Sequence, residues 1–338
     1  MKLPNYFKDF LTNISLTPNQ ISRIKTTHET LRDRLKKDEK LSEMIIDTFL
    51  QGSYKRYTAI RPKNDEKSDV DIVVVMDLDK DEIEPNEIFD LFEDFLDKYY
   101  EDKYKFNNKS IRITLTDVDV DLVVTIPYEN SDNFDKNLFN KSVVELMDEE
   151  IDSEDIENGY LYLPNRNENT WVKINPTAQI INTTSKNQRA NGWYIKVVKS
   201  IKWWQRFNYP DLGVKSYPLE RFIFECCPED ITCVADGVYL TFENMAIYSQ
   251  KLCLNDFSLE TDVFENISDD EYEEFYSKAC DAAEISYQAR FENDADESIR
   301  LWKELFGNKF DDSDNNENSN SGFTKPNKKA SVPSGRFA

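Results

Sequence analysis

The sequence predicts an α+β protein in which a mixed region of helices and strands is followed by a mainly helical region. Apolar residues recur at intervals of three and four in several stretches, and the β-branched run VDIVVVM and the other strand-like segments are confined to the first half. The 338 residues are 39% hydrophobic, which is enough for two buried cores. We expect one domain over residues 1–165, a helical domain over 166–310 and a disordered tail over 311–338.

The first predicted element is a long amphipathic helix. It begins at the sequence TPNQ (17–20), a capping box with proline at the first helical position. Apolar residues spaced by three and four from Ile21 to Leu35 continue it, and His28, the one histidine, is predicted to pack on that stripe. A second helix is predicted from Leu41 to Leu50, ending near Gly52.

The run from Val70 to Met76 is almost wholly apolar, which predicts a central strand covered on both faces. Helical spacing returns over 88–100. The tail past Phe310 has few large apolar groups, which predicts disorder. Further strands are predicted over 111–116 and 117–125, and further helices over 191–207, 269–290 and 297–306.

Five aspartates alternate with apolar residues in two of the predicted strands. Asp69 and Asp71 share one strand face, as do Asp117, Asp119 and Asp121, because side chains two apart point the same way. Carboxylates held this close repel each other unless a cation lies between them. If the two strands are neighbours, Asp69, Asp71 and Asp121 converge, and such hard oxygen ligands suit Mg²⁺ together with phosphate and water.

The dipeptide Gly52-Ser53 precedes this strand. Glycine lets backbone amides approach a phosphate, the serine hydroxyl adds a donor, and Arg56 and Thr58 follow within reach. A single Gly-Ser is usually a turn, and a single Asp-x-Asp is usually a solvated strand end. The ordered combination with a third aspartate in a later strand is what two-metal phosphoryl transfer needs.

The combination resembles the nucleotidyltransferase superfamily, and within it the CD-NTases, the cGAS/DncV-like nucleotidyltransferases of bacterial CBASS anti-phage systems. The resemblance covers most of residues 5–310, and the ending SGRFA is similar to clade D members. It rests on six segments in order: FLQGSYKRYTAIRP, DVDIVVVMDLD, VDLVV, IKWWQRFN, SYPLE and SIRLWKELFGNKF.

The resemblance implies a polymerase-β-like catalytic domain, a second domain of the oligoadenylate-synthase type and an active site in the cleft between them. It implies that Asp69, Asp71 and Asp121 are the catalytic metal ligands for two Mg²⁺ ions, for which Mn²⁺ can substitute. It also implies that Gly52 and Ser53 contact the donor triphosphate.

Three nucleotide contacts in the second domain follow from the resemblance alone. Lys202 matches a phosphate-binding lysine, Ser216 matches a serine that touches phosphate, and Tyr217 matches a ring that stacks on a base. A solvated helix lysine at 202 and a core tyrosine at 217 remain the alternatives. Trp203 and Trp204 are predicted to pack, since adjacent helical positions point to different faces.

The implied activity is synthesis of a cyclic di- or trinucleotide, preferably adenine-rich, from ATP and other nucleoside triphosphates. A linear oligoadenylate-type or RNA-tailing enzyme would use the same triad and remains an alternative, as does a catalytically inactive scaffold. The net charge of -23 disfavours a large RNA acceptor, since an acidic surface repels polyphosphate.

The remaining expectations concern location and partners. The sequence has no apolar run of about 18 residues, so we expect a cytoplasmic protein without a membrane partner. It lacks the zinc-binding insertion of animal cGAS, so zinc-dependent activation by DNA is not expected. An exposed C-terminus can be captured by another enzyme, and the resemblance suggests an E1/E2-like enzyme that conjugates Ala338; an inert tail is the alternative.

Overall fold

A computed structural model of the chain describes residues 1–63, 66–128, 134–141, 146 and 156–311. The strands belong to a seven-stranded sheet: β1 (Ile45–Gln51), β2 (Ser68–Met76), β3 (Tyr104–Phe106), β4 (Ile111–Thr114), β5 (Val118–Pro127), β6 (Leu161–Asn165) and β7 (Thr170–Ile174). Helices before and between them are α1 (Pro4–Ile14), α2 (Pro18–Lys37), α3 (Leu41–Met44), α4 (Gly52–Lys55), α5 (Glu87–Asp90), α6 (Glu93–Tyr100) and α7 (Lys136–Asn140).

The chain after the sheet is mainly helical, as predicted. Its last helix passes into a short 3₁₀ turn, Gly307–Lys309. Its helices are α8 (Pro176–Arg189), α9 (Tyr194–Asn208), α10 (Ser216–Cys226), α11 (Val234–Met245), α12 (Asp269–Phe291) and α13 (Ala295–Phe306). We refer to residues 18–174 as the sheet region and residues 176–311 as the helical region.

The strand order is β1-β2-β5-β4-β3, with β6 beside β5 and β7 beyond β6. The β2/β5 pair is parallel and the other neighbours are antiparallel. The centre of the sheet therefore consists of the two strands that carry the paired aspartates. The sequence analysis required this adjacency, and the fold confirms it.

The predicted helix over Leu41 to Leu50 is wrong in its second half. Helix α3 ends at Met44, and the chain continues as strand β1 along β2, with Leu50 opposite Ile72. The segment from Ile45 to Leu50 is rich in β-branched and aromatic residues, and the edge of β2 supplies a hydrogen-bonding partner for it. Tertiary pairing outweighed an ambiguous local pattern, so a strand, not a helix, leads into Gly52.

The other predicted elements are present near their predicted bounds. The capping box at Thr17 is formed, because Gln20 N–H donates to the Thr17 hydroxyl and Thr17 N–H donates back to the Gln20 side chain. His28 is buried on the packed face of α2, and Trp203 and Trp204 are buried as predicted.

The described residues form two large hydrophobic cores. One lies against the sheet beneath α2, α5 and α6, and the other is built from the helical region. Helix α1 belongs to the second core through Phe7, Phe10 and Ile14. The rings of Phe7 and Phe10 pack against those of Trp302, Phe306 and Phe310. The start of the chain thus joins the helical region. The predicted tail from residue 312 onward lies outside the described residues.

None of the described helices is both long and apolar enough to cross a membrane.

Candidate active site

A cleft of about 410 Å³ opens between the sheet and the helical region. Both regions line it, as the implied architecture requires. Every predicted site residue in the described part of the chain lines this cleft: Gly52, Ser53, Asp69, Asp71, Asp121, Lys202, Ser216 and Tyr217. The one remaining candidate, Ala338, lies outside the described residues.

A single row of side chains across four strands builds the sheet side of the cleft. In the strand registers, Gln51 on β1 is opposite Asp71 on β2, Asp71 is opposite Asp121 on β5, and Asp121 is opposite Arg112 on β4. Residues opposite one another in neighbouring strands share a face of the sheet. Asp71 and Asp121 are therefore brought together by register, although fifty positions separate them in the chain.

Arg112 is the residue at this end that the sequence reasoning missed. Its guanidinium donates to Asp69 Oδ1 at 2.6 Å, to Asp119 Oδ2 at 3.0 Å and to Asp121. Ser110 Oγ donates to the other oxygen of Asp121 at 3.2 Å. A sequence signal existed, because Arg112 occupies the polar face of the alternating segment IRIT, but its target depended on the register of β4 against β5.

Asp71 is held differently from its neighbours. It lies against Gly52, where a Cβ atom would come within 1.8 Å of Asp71 Oδ2, and Gly52 has a φ of +75°. Glycine is thus needed at 52 both for its backbone conformation and for the space beside Asp71. Burial raises the pKa of Asp71 to about 7, and the Asp121 carboxylate acts in the same direction while Arg56 opposes it.

Carboxylate oxygens such as those of Asp69, Asp71 and Asp121 are suitable ligands for a divalent cation. In the part of the chain that the structure describes, no three His, Cys, Asp or Glu side chains form a metal site by themselves. Asp69 and Asp121 both form ion pairs with Arg112, whose positive charge compensates part of the negative charge of the cluster. Burial, and after it the Asp121 carboxylate, raise the pKa of Asp71, so a cation beside Asp71 would favour its charged form. Hard oxygen donors in this state suit a cation that also takes phosphate oxygens as ligands.

The helical wall of the cleft, opposite the carboxylates, contains a buried network of charged residues to which Arg56 and Thr58 extend from the sheet region. Glu220 on α10 accepts hydrogen bonds from Arg56 Nη2 at 3.1 Å, Thr58 Oγ1 at 2.9 Å and Lys202 Nζ at 2.5 Å. Lys202 also donates to the Thr58 carbonyl at 3.1 Å. The exposed fractions are 4% for Arg56 and 6% for both Lys202 and Glu220. Lys202 is therefore a buried, ion-paired residue, and the solvated alternative for it is wrong.

Tyr217 is anchored at the same wall. Its hydroxyl donates to Asp256, and its ring lies 5.3 Å from the Arg56 guanidinium carbon. Gln179 accepts from Arg56 at 3.1 Å and donates to Asp256 at 3.3 Å, so hydrogen bonds link Arg56 to the carboxylate that holds Tyr217. Tyr217 is partly exposed and lines the cleft, so its ring is not a core residue. Ser216 is the first residue of α10.

Comparison with known proteins decides the family. A model of the Second Messenger Oligonucleotide or Dinucleotide Synthetase domain matches residues 1–135. A cyclic AMP-AMP-GMP synthase of Enterobacter hormaechei is 36% identical over 381 aligned positions that cover all of both chains. A cyclic AMP-AMP-AMP synthase of an Acinetobacter strain is 27% identical over 95% of this chain and 89% of that protein.

The chain belongs to the CD-NTases.

This CD-NTase is a nucleotidyltransferase that synthesises cyclic oligonucleotides. Solved structures show the same fold. Vibrio cholerae DncV cyclic AMP-GMP synthase, in complex with a linear intermediate, matches with a TM-score of 0.71 at 16% identity over 93% of this chain and 97% of that one. Escherichia coli CdnC with ATP matches with a TM-score of 0.68 at 14% identity over 92% of this chain and all of that one. Nucleotidyltransferases of this kind generally use divalent metal ions.

Proposed function

We propose that this CD-NTase makes a cyclic trinucleotide that contains at least two adenylates and acts as an anti-phage signal in the cytoplasm. The support for the product is the 36% identity, from end to end, with a synthase named for cyclic AMP-AMP-GMP, and the 27% identity with one named for cyclic AMP-AMP-AMP. The observation that carries the chemistry is the β2/β5 register, in which Asp71 lies opposite Asp121 at the cleft.

The test is incubation of the purified protein with all four labelled nucleoside triphosphates and Mg²⁺, followed by phosphatase and mass spectrometry. A ring has no terminal phosphate, so a phosphatase-resistant product containing two or three adenylates is expected. A product that loses terminal phosphates to phosphatase would instead support the linear oligoadenylate-type alternative. A resistant dinucleotide would contradict the trinucleotide while leaving cyclic synthesis intact.

We propose that Asp69, Asp71 and Asp121 hold Mg²⁺, or Mn²⁺ in its place. Two such ions would lower the pKa of the acceptor hydroxyl and neutralise the charge on the departing pyrophosphate. Asp121, which lies between Asp71 and Arg112 in the row, would accept the hydroxyl proton of the acceptor ribose. Arg112 would exchange some of its bonds with Asp69 and Asp121 when a cation binds, because the same oxygens serve both.

The donor nucleotide would bind between the Gly52-Ser53 turn and the helical wall. The turn at Gly52 and Ser53 would present its backbone amides and hydroxyl to the triphosphate. Lys202 and Ser216 line the same cleft on the helical side and would contact phosphate, while the ring of Tyr217 would stack on the base. We propose a catalytic domain over residues 1–165 and a substrate-binding domain over residues 166–310, apart from two elements: α1 packs with the helical region, and β7 belongs to the sheet.

The C-terminal residue Ala338 is proposed as the point at which an E1/E2-like enzyme attaches the synthase to a target. Support comes from the sequence alone, since the segment after residue 311 has few large apolar groups. Deletion of the last four residues should leave synthesis by the purified protein unchanged while abolishing conjugation in cells. Mass spectrometry of the isolated synthase detects the linkage, and conjugates formed by the shortened chain would contradict the assignment.

A further inference from the structure

Glu220 occupies an unusual position in the cleft. It is the one carboxylate among the buried polar side chains that the structure describes. A buried carboxylate has a high free-energy cost unless opposite charges and hydrogen bonds compensate it. Lys202 and Arg56 provide this compensation, and although burial alone would raise the pKa of Glu220, they lower it.

The partners of Glu220 come from both regions of the molecule. Arg56 and Thr58 follow α4 in the sheet region, whereas Lys202 lies on α9 of the helical region. Glu220 thus forms ion pairs with a cation from each of the two regions, Arg56 and Lys202. The two carboxylate oxygens bind different partners: Oε2 accepts from Arg56 and Thr58, and Oε1 accepts from Lys202.

The contact with Thr58 reaches the Gly-Ser turn. Thr58 N–H donates to the Ser53 carbonyl at 2.9 Å, and Ala59 N–H donates to the same oxygen at 3.0 Å. A carboxylate that fixes Thr58 from the helical side therefore fixes the backbone at Ser53 as well. The two cations and the turn form one hydrogen-bonded unit with Glu220 at its centre.

The charges in this unit do not cancel. Two cations, Arg56 and Lys202, are held by one carboxylate, and all three residues line the cleft. The unit has a surplus positive charge facing the space that a nucleoside triphosphate would enter. Without Glu220, two buried cations would repel each other and no single side chain would fix both at once.

We infer that Glu220 is a positioning residue for donor nucleotide: it holds Arg56, Lys202 and the Gly52-Ser53 turn in one arrangement that receives the triphosphate. Glu220 acts through these groups and does not itself contact the nucleotide. The inference rests on the proposed donor site and extends it to Glu220. A triphosphate would not bind Glu220 directly, because both are negatively charged.

The main test is Glu220→Gln, which keeps the shape of the side chain and removes its charge. The affinity of the protein for a non-hydrolysable ATP analogue with Mg²⁺ is measured by calorimetry, and the melting temperature is recorded alongside. We expect the dissociation constant to rise about tenfold or more, because a carboxylate with charged partners is lost. Thr58→Val removes the hydrogen bond that Glu220 accepts from this uncharged side chain, and we expect a rise of roughly threefold.

A matched control separates positioning from general destabilisation. Asp236 forms an ion pair with Arg290 at 2.5 Å in the helical region, and it does not line the cleft. Asp236→Asn should lower the melting temperature while leaving the affinity for the analogue unchanged. If Glu220→Gln fails to fold, Thr58→Val decides the question by the same two measurements.

A pH series supplies a readout that a purely structural role would not change. Burial lowers the pKa of Lys202, Arg56 and Arg206 lower it further, and Glu220 raises it. Lys199, whose pKa burial also lowers, is a further cation that interacts with Lys202. In Glu220→Gln the opposing charge is lost, so Lys202 should lose its proton at lower pH. Affinity for the analogue should therefore fall as pH rises, and more steeply than in the unaltered protein.

Two results would overturn the inference. Glu220→Gln and Thr58→Val could both bind the analogue as tightly as the unaltered protein does, or Asp236→Asn could weaken binding as much as they do. Failure of the proposed donor site is distinguishable, because then the unaltered protein itself would not bind the analogue with Mg²⁺.

Discussion

The two walls of the cleft are built from the same kinds of charged side chain with opposite results. On the sheet wall, four carboxylates outnumber the two described cations paired with members of the cluster, Arg112 and Lys67, and the cluster is partly open to solvent. The carboxylates are those of Asp69, Asp71, Asp119 and Asp121. On the helical wall, two cations outnumber Glu220, and the group is almost wholly buried. This difference in charge favours a cation at the first wall and an anion at the second, and these are the two components of a metal-bound triphosphate.

The difference also concerns how each wall is held in place. Strand register places the carboxylates, so the backbone of the sheet positions them whether or not their charges are satisfied. Mutual hydrogen bonds place the cations, so each depends on its partners. Substitutions on the sheet wall should therefore change chemistry more than folding, and those on the helical wall should change binding and folding together.

The largest effect is expected when both carboxylates of β2 lose their charge. Asp69→Asn together with Asp71→Asn should reduce product formation on the order of 10³-fold or more, because the charge that holds the cation is removed while the strand remains. Product is measured by mass spectrometry and folding by circular dichroism. Asp117→Asn is the control, since Asp117 has the same alternation but pairs with Arg23 away from the cleft. Undiminished synthesis by the double variant would refute the assignment.

The next effect tests the close contact between Gly52 and Asp71. Gly52→Ala adds a Cβ atom 1.8 Å from Asp71 Oδ2, so we expect synthesis to fall roughly 100-fold as the carboxylate is displaced. Gly192 has almost the same φ, +76°, with no atom within 4 Å of an added Cβ. Gly192→Ala should thus cost only about 1 kcal/mol of stability through backbone strain, with synthesis retained. Equal activity of the two variants would contradict a role for the contact.

A smaller effect is expected in the pH dependence of stability without metal. Asp71 has its pKa raised to about 7, so its contribution to stability is fully present below the unfolded pKa and is lost as pH rises toward 7. Asp71→Asn removes that loss. In EDTA, the melting temperature of the variant minus that of the unaltered protein should increase with pH and level off above 7, and a difference independent of pH would contradict the raised pKa.

The smallest effect concerns Arg112, whose partners are partly exposed. Arg112→Gln should cost about 1 kcal/mol of stability in EDTA, since the carboxylates then repel each other without a counter-charge. Mg²⁺ should raise the melting temperature of this variant more than that of the unaltered protein. The comparison is made by thermal unfolding with and without Mg²⁺; an equal effect of Mg²⁺ on both proteins would show that Arg112 and the cation do not share oxygens.

Much of the catalytic wall could be predicted from the sequence because its information is local. Alternation fixes which side chains share a strand face, so Asp69 with Asp71, and Asp119 with Asp121, were predictable as pairs. Gly52-Ser53 was predictable as a tight turn because glycine tolerates a positive φ, although the element leading into it was predicted as a helix and is strand β1. The residues implied by resemblance, Lys202, Ser216 and Tyr217, all line the cleft.

The sequence by itself determined most of the element types, with strand β1 as the exception, and the shared faces of the aspartates, because these depend on spacing along the chain. The family followed from the resemblance of six segments in order. Only the tertiary structure decided that β2 and β5 are parallel neighbours, that Arg112 lies opposite Asp121, and that Glu220 joins Arg56 to Lys202. These are contacts between segments far apart in the chain, and they arise from register and burial, which the spacing of residues within one segment does not specify.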